Sequence, residues 1–166
     1  MLETPRLYLR EQTVEDLNRL YEIYEDASIR KFVEPLYADR QEETAFTEAY
    51  IRHMYRFYGY GLWVVCLREN DRIIGRAGLG NRVIDGSEKL ELGYLIAEEY
   101  QRQGYALEAC EAICSFAATR LEADEIACIT ATDNEASAAL LKKLGFEHVA
   151  SMEAERMEYY VKQCCS

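Results

Sequence analysis

The clearest alternation of hydrophobic and polar positions lies in the middle of the chain, at residues 90–96, which read LELGYLI. Every second residue there is large and apolar, and this period of two predicts a β-strand. The polar run Ala97–Gln103 ends the strand, and an amphipathic helix is predicted from near Gly104 to about Leu121. The segment is therefore a strand, a loop and a helix in succession.

The same patterns predict further elements on both sides of this segment. Thr13 and Asp16 have the spacing of a capping box and predict a helix start. Two more helices are predicted, each with an N-cap residue before it and a glycine after it: Asp39 to Gly59 and Asn134 to Gly145. Further strands are predicted at Thr4–Glu11, Leu62–Arg68, Ile73–Val83, Glu125–Thr132, Phe146–Ala154 and Glu155–Lys162.

Together these elements predict one α/β domain over residues 1–166, built on a mostly antiparallel sheet with one parallel step. The helix after Asp39 has an apolar side, and His53 on that side is expected to pack at the edge of the core. The side is formed by Phe46, Tyr50, Met54 and Phe57. Glycines 75, 78 and 80 indicate bulges or close approach of another chain or a ligand. The tail Gln163–Ser166 is expected to fray.

Composition limits the classes of protein to which this domain can belong. A chain of 166 residues with 49% hydrophobic residues can form a core of its own. It has no apolar run near the roughly 20 residues of a membrane span, and its charged start is unlike a signal peptide, so we expect a cytoplasmic protein. The six cysteines lie mainly in apolar runs and are expected to be reduced, and two isolated histidines give no zinc pattern, so we expect no metal.

The net charge of −11 disfavours nucleic acid as a partner because it repels phosphate backbones. It favours a cationic partner, although solubility is the commoner reason for such a charge. We therefore expect a small or flexible amine, in a pocket lined by aromatic residues such as Tyr21, Tyr24, Phe32, Tyr37, Tyr50 and Phe57.

The junction between the central strand and its helix is suited to an anion. Gln101, Gly104 and Ala106 form the pattern Q-x-x-G-x-A. Small residues allow the unpaired N–H groups of the first helical turn to approach a ligand, and the helix dipole favours a phosphate there. The pattern is neither a Walker loop nor a dinucleotide-binding glycine motif.

Four motifs in order resemble the GNAT superfamily of acyl-CoA-dependent N-acetyltransferases, and in particular its ribosomal-protein-alanine (Rim-type) branch. They are Thr4-x-Arg6-Leu7-x-Leu9-Arg10, Glu91-Leu92-Gly93-Tyr94, Gln101-x-x-Gly104-x-Ala106, and Asn134-x-x-Ser137 followed by Leu144-Gly145-Phe146. The resemblance implies a mixed sheet of six to seven strands with about four helices. It also implies acetyl-CoA as co-substrate, bound in a cleft between two splayed strands.

The resemblance also implies site residues. Glu91 is the first candidate for the base that deprotonates an amine, the alternative being a carboxylate paired with Lys89 or an arginine. Many relatives carry a tyrosine acid where this chain has Leu141, so Ser137 is preferred as proton donor, with Tyr94 and Tyr105 in reserve. Cofactor binding is expected from Leu95, Ile96, Gln101, Arg102, Gln103, Gly104, Tyr105, Ala106, Asn134, Ser137 and Lys143, or Lys142 in place of Lys143.

The implied reaction is acetylation of a primary amine on a protein N-terminus, a polyamine or an aminoglycoside-like molecule, by a monomer or homodimer. Two alternatives lie outside catalysis. The first is a non-catalytic acyl-CoA-binding or sensor protein on the same fold, which the missing tyrosine at Leu141 favours. The second is an interaction domain without a cofactor.

Overall fold

One eight-stranded sheet runs through the computed structural model, which describes residues 1–164. Its spatial order is β1-β2-β3-β4-β5-β6-β8-β7, and every neighbouring pair is antiparallel except β5 and β6. The predicted parallel step is confirmed. The strands are β1 (Leu2–Glu3), β2 (Leu7–Arg10), β3 (Leu62–Leu67), β4 (Ile73–Ile84), β5 (Ser87–Ile96), β6 (Glu125–Ala131), β7 (Glu147–Met152) and β8 (Met157–Gln163).

Five α-helices flank the sheet: α1 (Leu17–Glu25), α2 (Ala27–Arg30), α3 (Arg40–Tyr50), α4 (Tyr105–Arg120) and α5 (Glu135–Lys143). The predicted caps are confirmed, since Thr13 and Asp16 form a capping box and the Asp39 carboxylate accepts from two N–H groups of α3. Short 3₁₀ turns at Val14–Asp16 and Glu98–Tyr100 precede α1 and α4.

The expected counts of six to seven strands and about four helices are each too low by about one. The additional strand is β1, which folds back on β2 through a turn at Thr4, with Leu2 opposite Leu9. A two-residue strand is too short to show a period, so the sequence could not reveal it. The additional helix is α2, which has only four residues.

The sheet has a core on each face. Helix α4 covers one face and packs Ile113 and Ala117 against residues of the inner strands such as Leu79 and Leu92. On the other face α1 and α2 pack Leu20, Ile23 and Ile29 against Val64, Cys66, Ile73 and Leu95. Alternate residues of β5 therefore belong to different cores, which confirms its predicted alternation.

The helix after Asp39 is irregular, and this corrects two predictions. After α3 it continues as a π-helix, Ile51–Tyr58, and ends at Gly59 as predicted. A π-helix has more residues per turn than an α-helix, so the buried side rotates. Tyr55 is buried, whereas Phe57 is 75% exposed. His53 is also exposed, stacked on Phe57, so the expectation that it packs at the core edge is wrong.

The chain end is more ordered than expected where it is described. Gln163 belongs to β8, and the Cys164 N–H donates to the Asp124 carbonyl at 2.8 Å. The prediction of fraying is wrong for these two residues. Cys165 and Ser166 lie outside the described residues.

The glycines of β4 mark close approach to neighbouring strands. A Cβ on Gly78 would overlap the carbonyl oxygen of Gly61, and a Cβ on Gly75 would overlap that of Leu95. Gly80 has no atom within 4 Å of the position that a Cβ would take. The absence of a side chain is therefore required at Gly75 and Gly78 but not at Gly80.

We predict that Gly78→Ala lowers the free energy of unfolding by about 1–3 kcal/mol, the usual cost of overpacking. Gly80→Ala, on the same face two residues further along β4, is the matched control and should leave stability unchanged. Urea unfolding of both variants checks this. Equal stability of the two variants would contradict the overlap with Gly61.

Candidate functional site

The two central strands separate after a single pair of residues. Glu91 of β5 pairs with Ala127 of β6, whereas on its other edge β5 pairs with β4 all the way from Ser87 to Ile96. Beyond Glu91 one edge of β5 therefore faces a gap. The Ala97 N–H donates to Ile74 of β4, so by alternation the N–H groups of Tyr94 and Ile96 are directed to the gap.

The N-terminus of α4 lies just beyond the open end of β5. Gly104, its N-cap residue, has φ 83° and provides no side-chain cap, and the first helical bond runs from Glu108 N–H to Gly104 O at 3.0 Å. The preceding N–H groups of the first turn therefore lack intrahelical partners. Together with the helix dipole they form a positive site that fits a phosphate.

Three side chains hold this loop in place. The Gln101 amide donates to Ile96 O at 2.8 Å, and the Gln103 amide donates to Glu99 O at 3.0 Å. Arg6 donates to Gln103 O at 3.0 Å and forms a 2.6 Å ion pair with Glu108. The two glutamine side chains thus shape the loop, which leaves backbone groups for a ligand.

The other predicted loop residues differ in exposure. Arg102 is exposed with φ 59°, while Tyr105 and Ala106 are half-buried in the first turn of α4. Tyr105 lies under the Arg6 guanidinium, 4.4 Å from the ring centre. Leu95 is placed differently from Tyr94 and Ile96, because its carbonyl lies against Gly75 of β4 and its side chain is buried beside α1.

Glu91 lies where the strands separate. Burial raises the pKa of its carboxyl group, while Arg82, with Nη1 3.2 Å from Glu91 Oε1, and the Ile129 backbone oppose that rise. Lys89 pairs with Glu125 instead, at 2.5 Å. The arginine pairing foreseen for Glu91 is thus present, and burial nevertheless raises the pKa of the carboxyl group above its usual value.

On the opposite face of β5, the Tyr94 hydroxyl lies 2.6 Å from the Ser137 hydroxyl of α5. Burial raises the pKa of Tyr94 well above its usual value, so the phenol is protonated at neutral pH. Leu141 is fully buried in the core. Two of the three predicted proton donors therefore form one pair, while Tyr105 lies in the first turn of α4.

Asn134 and the two lysines of α5 lie at opposite ends of that helix. The Asn134 side chain accepts from the Ser137 N–H at 3.1 Å and thereby caps the helix. Lys142 and Lys143 are exposed in its last turn. The cap thus fixes the position of Ser137 beside Tyr94.

A cavity of about 220 Å³ lies on the face of the sheet that carries Glu91, between α3, the loop before it and β4. Tyr37 and Tyr50, two of the predicted pocket residues, line it, and Tyr24 is hydrogen-bonded to Arg76 in its wall. Tyr21 donates to the Tyr37 carbonyl at 2.6 Å. Sequence reasoning missed Arg76 and Gln12 here, although an arginine inside the apolar strand IIGRAGL was a visible signal.

Comparison with known proteins identifies the protein family. The family model described as "Acetyltransferase (GNAT) domain" matches residues 6–147, so the chain belongs to the GNAT acetyltransferase family. The uncharacterized N-acetyltransferase YoaA of Bacillus subtilis is 26% identical over 147 residues, which cover 89% of this chain and 82% of that protein. The chain is accordingly an acyl-CoA-dependent N-acetyltransferase that uses acetyl-CoA, and the resemblance noted in its motifs is confirmed.

Solved structures with the same fold belong to acetyltransferases with different acceptors. RimL, a ribosomal L7/L12 alpha-N-protein acetyltransferase in complex with coenzyme A, aligns with a TM-score of 0.78 and 16% identity, covering 96% of this chain and 95% of that one. A chimera of the spermidine N-acetyltransferase SpeG from Vibrio cholerae and hSSAT aligns with a TM-score of 0.80 and 18% identity, covering 96% of each chain. The fold alone therefore does not select an acceptor.

Within residues 1–164, no helix has the length and apolar character needed to cross a membrane. The same residues contain no group of three or more His, Cys, Asp or Glu side chains arranged to hold a metal ion.

The buried position of Glu91 predicts a pH-dependent effect on stability. Because its pKa is raised in the folded state, the folded protein holds this proton more tightly than the unfolded chain, and stability falls as pH rises from 4.5 through the raised value. Glu91→Gln lacks this titration. We therefore expect the variant to gain stability relative to the parent protein between about pH 4 and about pH 8.

Melting temperatures of both proteins across this range check the expectation. Glu88→Gln, an exposed change on the same strand, is the control and should show a nearly constant difference. If Glu91→Gln instead loses relative stability as pH rises, the ionised carboxylate is stabilising and burial does not dominate.

Proposed function

We propose that this protein transfers the acetyl group of acetyl-CoA directly to a primary amine, in the gap between β5 and β6. The observation that carries the proposal is the separation of these strands beyond Glu91 and Ala127, directly beside the uncapped first turn of α4. Such a gap gives an extended cofactor one open strand edge and one phosphate site. Acetyl-CoA supplies a thioester carbonyl that an amine can attack.

The first part of the proposal concerns the cofactor. The N–H groups of residues 102–106 would bind the pyrophosphate, and those of Tyr94 and Ile96 would bind the pantetheine arm and polarise the thioester carbonyl. Gln101 and Gln103 act by shaping the loop. Asn134 acts through the cap that positions Ser137. Lys142 and Lys143 remain candidates for the nucleotide phosphates through long-range attraction.

The second part concerns proton transfer. An alkylamine with an ordinary pKa of about 10.4 is mostly protonated at neutral pH and must lose a proton before it attacks. Glu91, at the apex of the gap and with a raised pKa, is the proposed base, directly or through water. Tyr94 and Ser137 lie on the other face of β5, so the thiolate can be protonated from the side opposite the amine.

We predict that Gly104→Glu abolishes stabilisation by acetyl-CoA, because it places a carboxylate where the pyrophosphate is proposed to bind. Saturation at 100 times the dissociation constant stabilises a protein by about 2.7 kcal/mol, which is several degrees of melting temperature for a chain of this size. Gly86→Glu is the matched control, since Gly86 also has positive φ, 75°, but lies in the turn between β4 and β5. An unchanged shift in Gly104→Glu would refute this cofactor site.

We also predict that Glu91→Gln lowers turnover by about 10²–10⁴-fold while acetyl-CoA still raises the melting temperature. Raising the assay to about pH 9 should restore part of the activity, because more of the amine is then already neutral. Thiol release measures turnover, and Glu88→Gln is the control. If the defect is the same at both pH values, Glu91 has a structural role, and if the parent protein binds acetyl-CoA but releases no thiol with any amine, the sensor interpretation is correct.

A further inference from the structure

The cavity beside α3 contains a half-buried arginine, Arg76, that has no carboxylate partner among residues 1–164. Arg76 Nε is closed off from solvent and has no hydrogen-bond partner among residues 1–164. In the same range the only hydrogen bond found for its guanidinium is from Nη1 to the Tyr24 hydroxyl at 3.1 Å, and no carboxylate forms an ion pair with it. A guanidinium has five N–H donors and is normally paired when buried.

The acidic residue of the cavity does not fill this role. Glu43 is 3% exposed, and its carboxylate accepts from the Tyr37 N–H at 2.9 Å and the Thr47 hydroxyl at 3.4 Å. It lies in the first turn of α3, where the helix dipole favours a negative charge. The Glu43 side chain is therefore satisfied by nearby donors. Arg76 has the Tyr24 hydroxyl and the Tyr50 ring, 5.9 Å from its Cζ, but no carboxylate among residues 1–164.

Gln12 is the second unsatisfied group in the wall. It is 4% exposed, its Nε2 reaches only Thr47 at 3.4 Å, and its Oε1 has no partner among residues 1–164. Each such buried group is costly unless something in the cavity bonds to it. A ligand that satisfies both groups must accept a hydrogen bond from Arg76 Nε and donate an N–H to Gln12 Oε1.

Arg76 also lies on the face of the sheet that carries Glu91. Arg76 pairs with Leu95 and Gly80 pairs with Glu91, so the two side chains are four strand positions apart on one face. At about 3.4 Å per residue this is about 14 Å along the sheet. Between them lie Gly78, against which the Gly61 carbonyl packs, and Gly93, against which the Leu62 side chain packs.

We propose that the cavity binds the carboxylate of the acceptor, and that Arg76 thereby selects small primary amines that also carry a carboxylate. This inference rests on the proposed function and names its substrate class. The carboxylate would accept from the Nε and a free Nη of Arg76, an N–H of the ligand would donate to Gln12, and the amine would extend towards Glu91. The overall charge of −11 attracts the ammonium end of such a molecule, while Arg76 distinguishes it from a polyamine.

Matched amines test the proposal on the unmodified protein. Thiol release is measured with lysine against 1,5-diaminopentane, and with 2,5-diaminopentanoate against 1,4-diaminobutane, each pair differing only by the carboxylate. We expect kcat/KM to be about tenfold to a hundredfold higher for the member with the carboxylate, since charge-assisted hydrogen bonds to one guanidinium are gained. Equal or faster turnover of the amines without a carboxylate would overturn the inference and leave acetyl transfer to amines standing.

Arg76→Met tests the residue itself. It should raise KM for the better carboxylate-bearing amine about tenfold to a hundredfold and leave KM for its carboxylate-free partner unchanged, with Arg76→Lys intermediate. Arg120→Met removes the same charge from an exposed position at the end of α4 and should alter neither. An equal loss for both amines in Arg76→Met would show a structural role and overturn the assignment.

A binding measurement separates this inference from the chemistry. Lysine should raise the melting temperature of the parent protein and of Arg120→Met but not of Arg76→Met, whether or not thiol is released. If this pattern holds while none of the four amines is acetylated, the proposed function fails and the carboxylate site stands. If lysine stabilises all three proteins alike, the carboxylate site is wrong.

Discussion

The interaction on which the rest of this structure depends is a parallel pairing that stops after one pair of residues, Glu91 with Ala127. Parallel neighbours need a crossover connection, and α4 supplies it, so its N-terminus must lie at the end of β5. The gap and the uncapped helical turn are thus two results of one topology. Because β4 holds the other edge of β5 as far as Ile96, the open edge remains in place without a partner.

The features that could be predicted from the sequence are those that depend on residues close together in the chain. The alternation at Leu90–Ile96, the caps at Asp39 and Asn134, and the stop at Gly59 depend on near neighbours in the chain, and all are confirmed. The GNAT motifs then indicated the loop that we propose binds the cofactor. The Tyr94 and Ser137 pair joins residues far apart in the chain, so the sequence offered the two only as separate candidates.

What could not be predicted depends on packing between distant segments. A π-helix over Ile51–Tyr58 carries no distinctive residue pattern, so the burial of Tyr55 instead of Phe57 was missed. The cavity could not be foreseen either, because Gln12, Glu43 and Arg76 come from three separate segments. The net charge of the chain predicts only the long-range attraction of a cation. The carboxylate preference proposed for Arg76 depends on short-range hydrogen bonds, so the net charge could not predict it.

The long ladder between β4 and β5 has a consequence for the order in which the protein acquires its activity during synthesis. These strands are joined by the tight turn at Asp85 and Gly86, so their pairing needs no distant partner and can form early. The second wall of the gap comes from β6, which is held in turn by β8 near the end of the chain. A nascent chain that has emerged only through α4 therefore already carries the loop proposed for the pyrophosphate but cannot yet enclose the thioester. Competence for acetyl transfer therefore arrives with the segment that carries β6 and β8, not gradually.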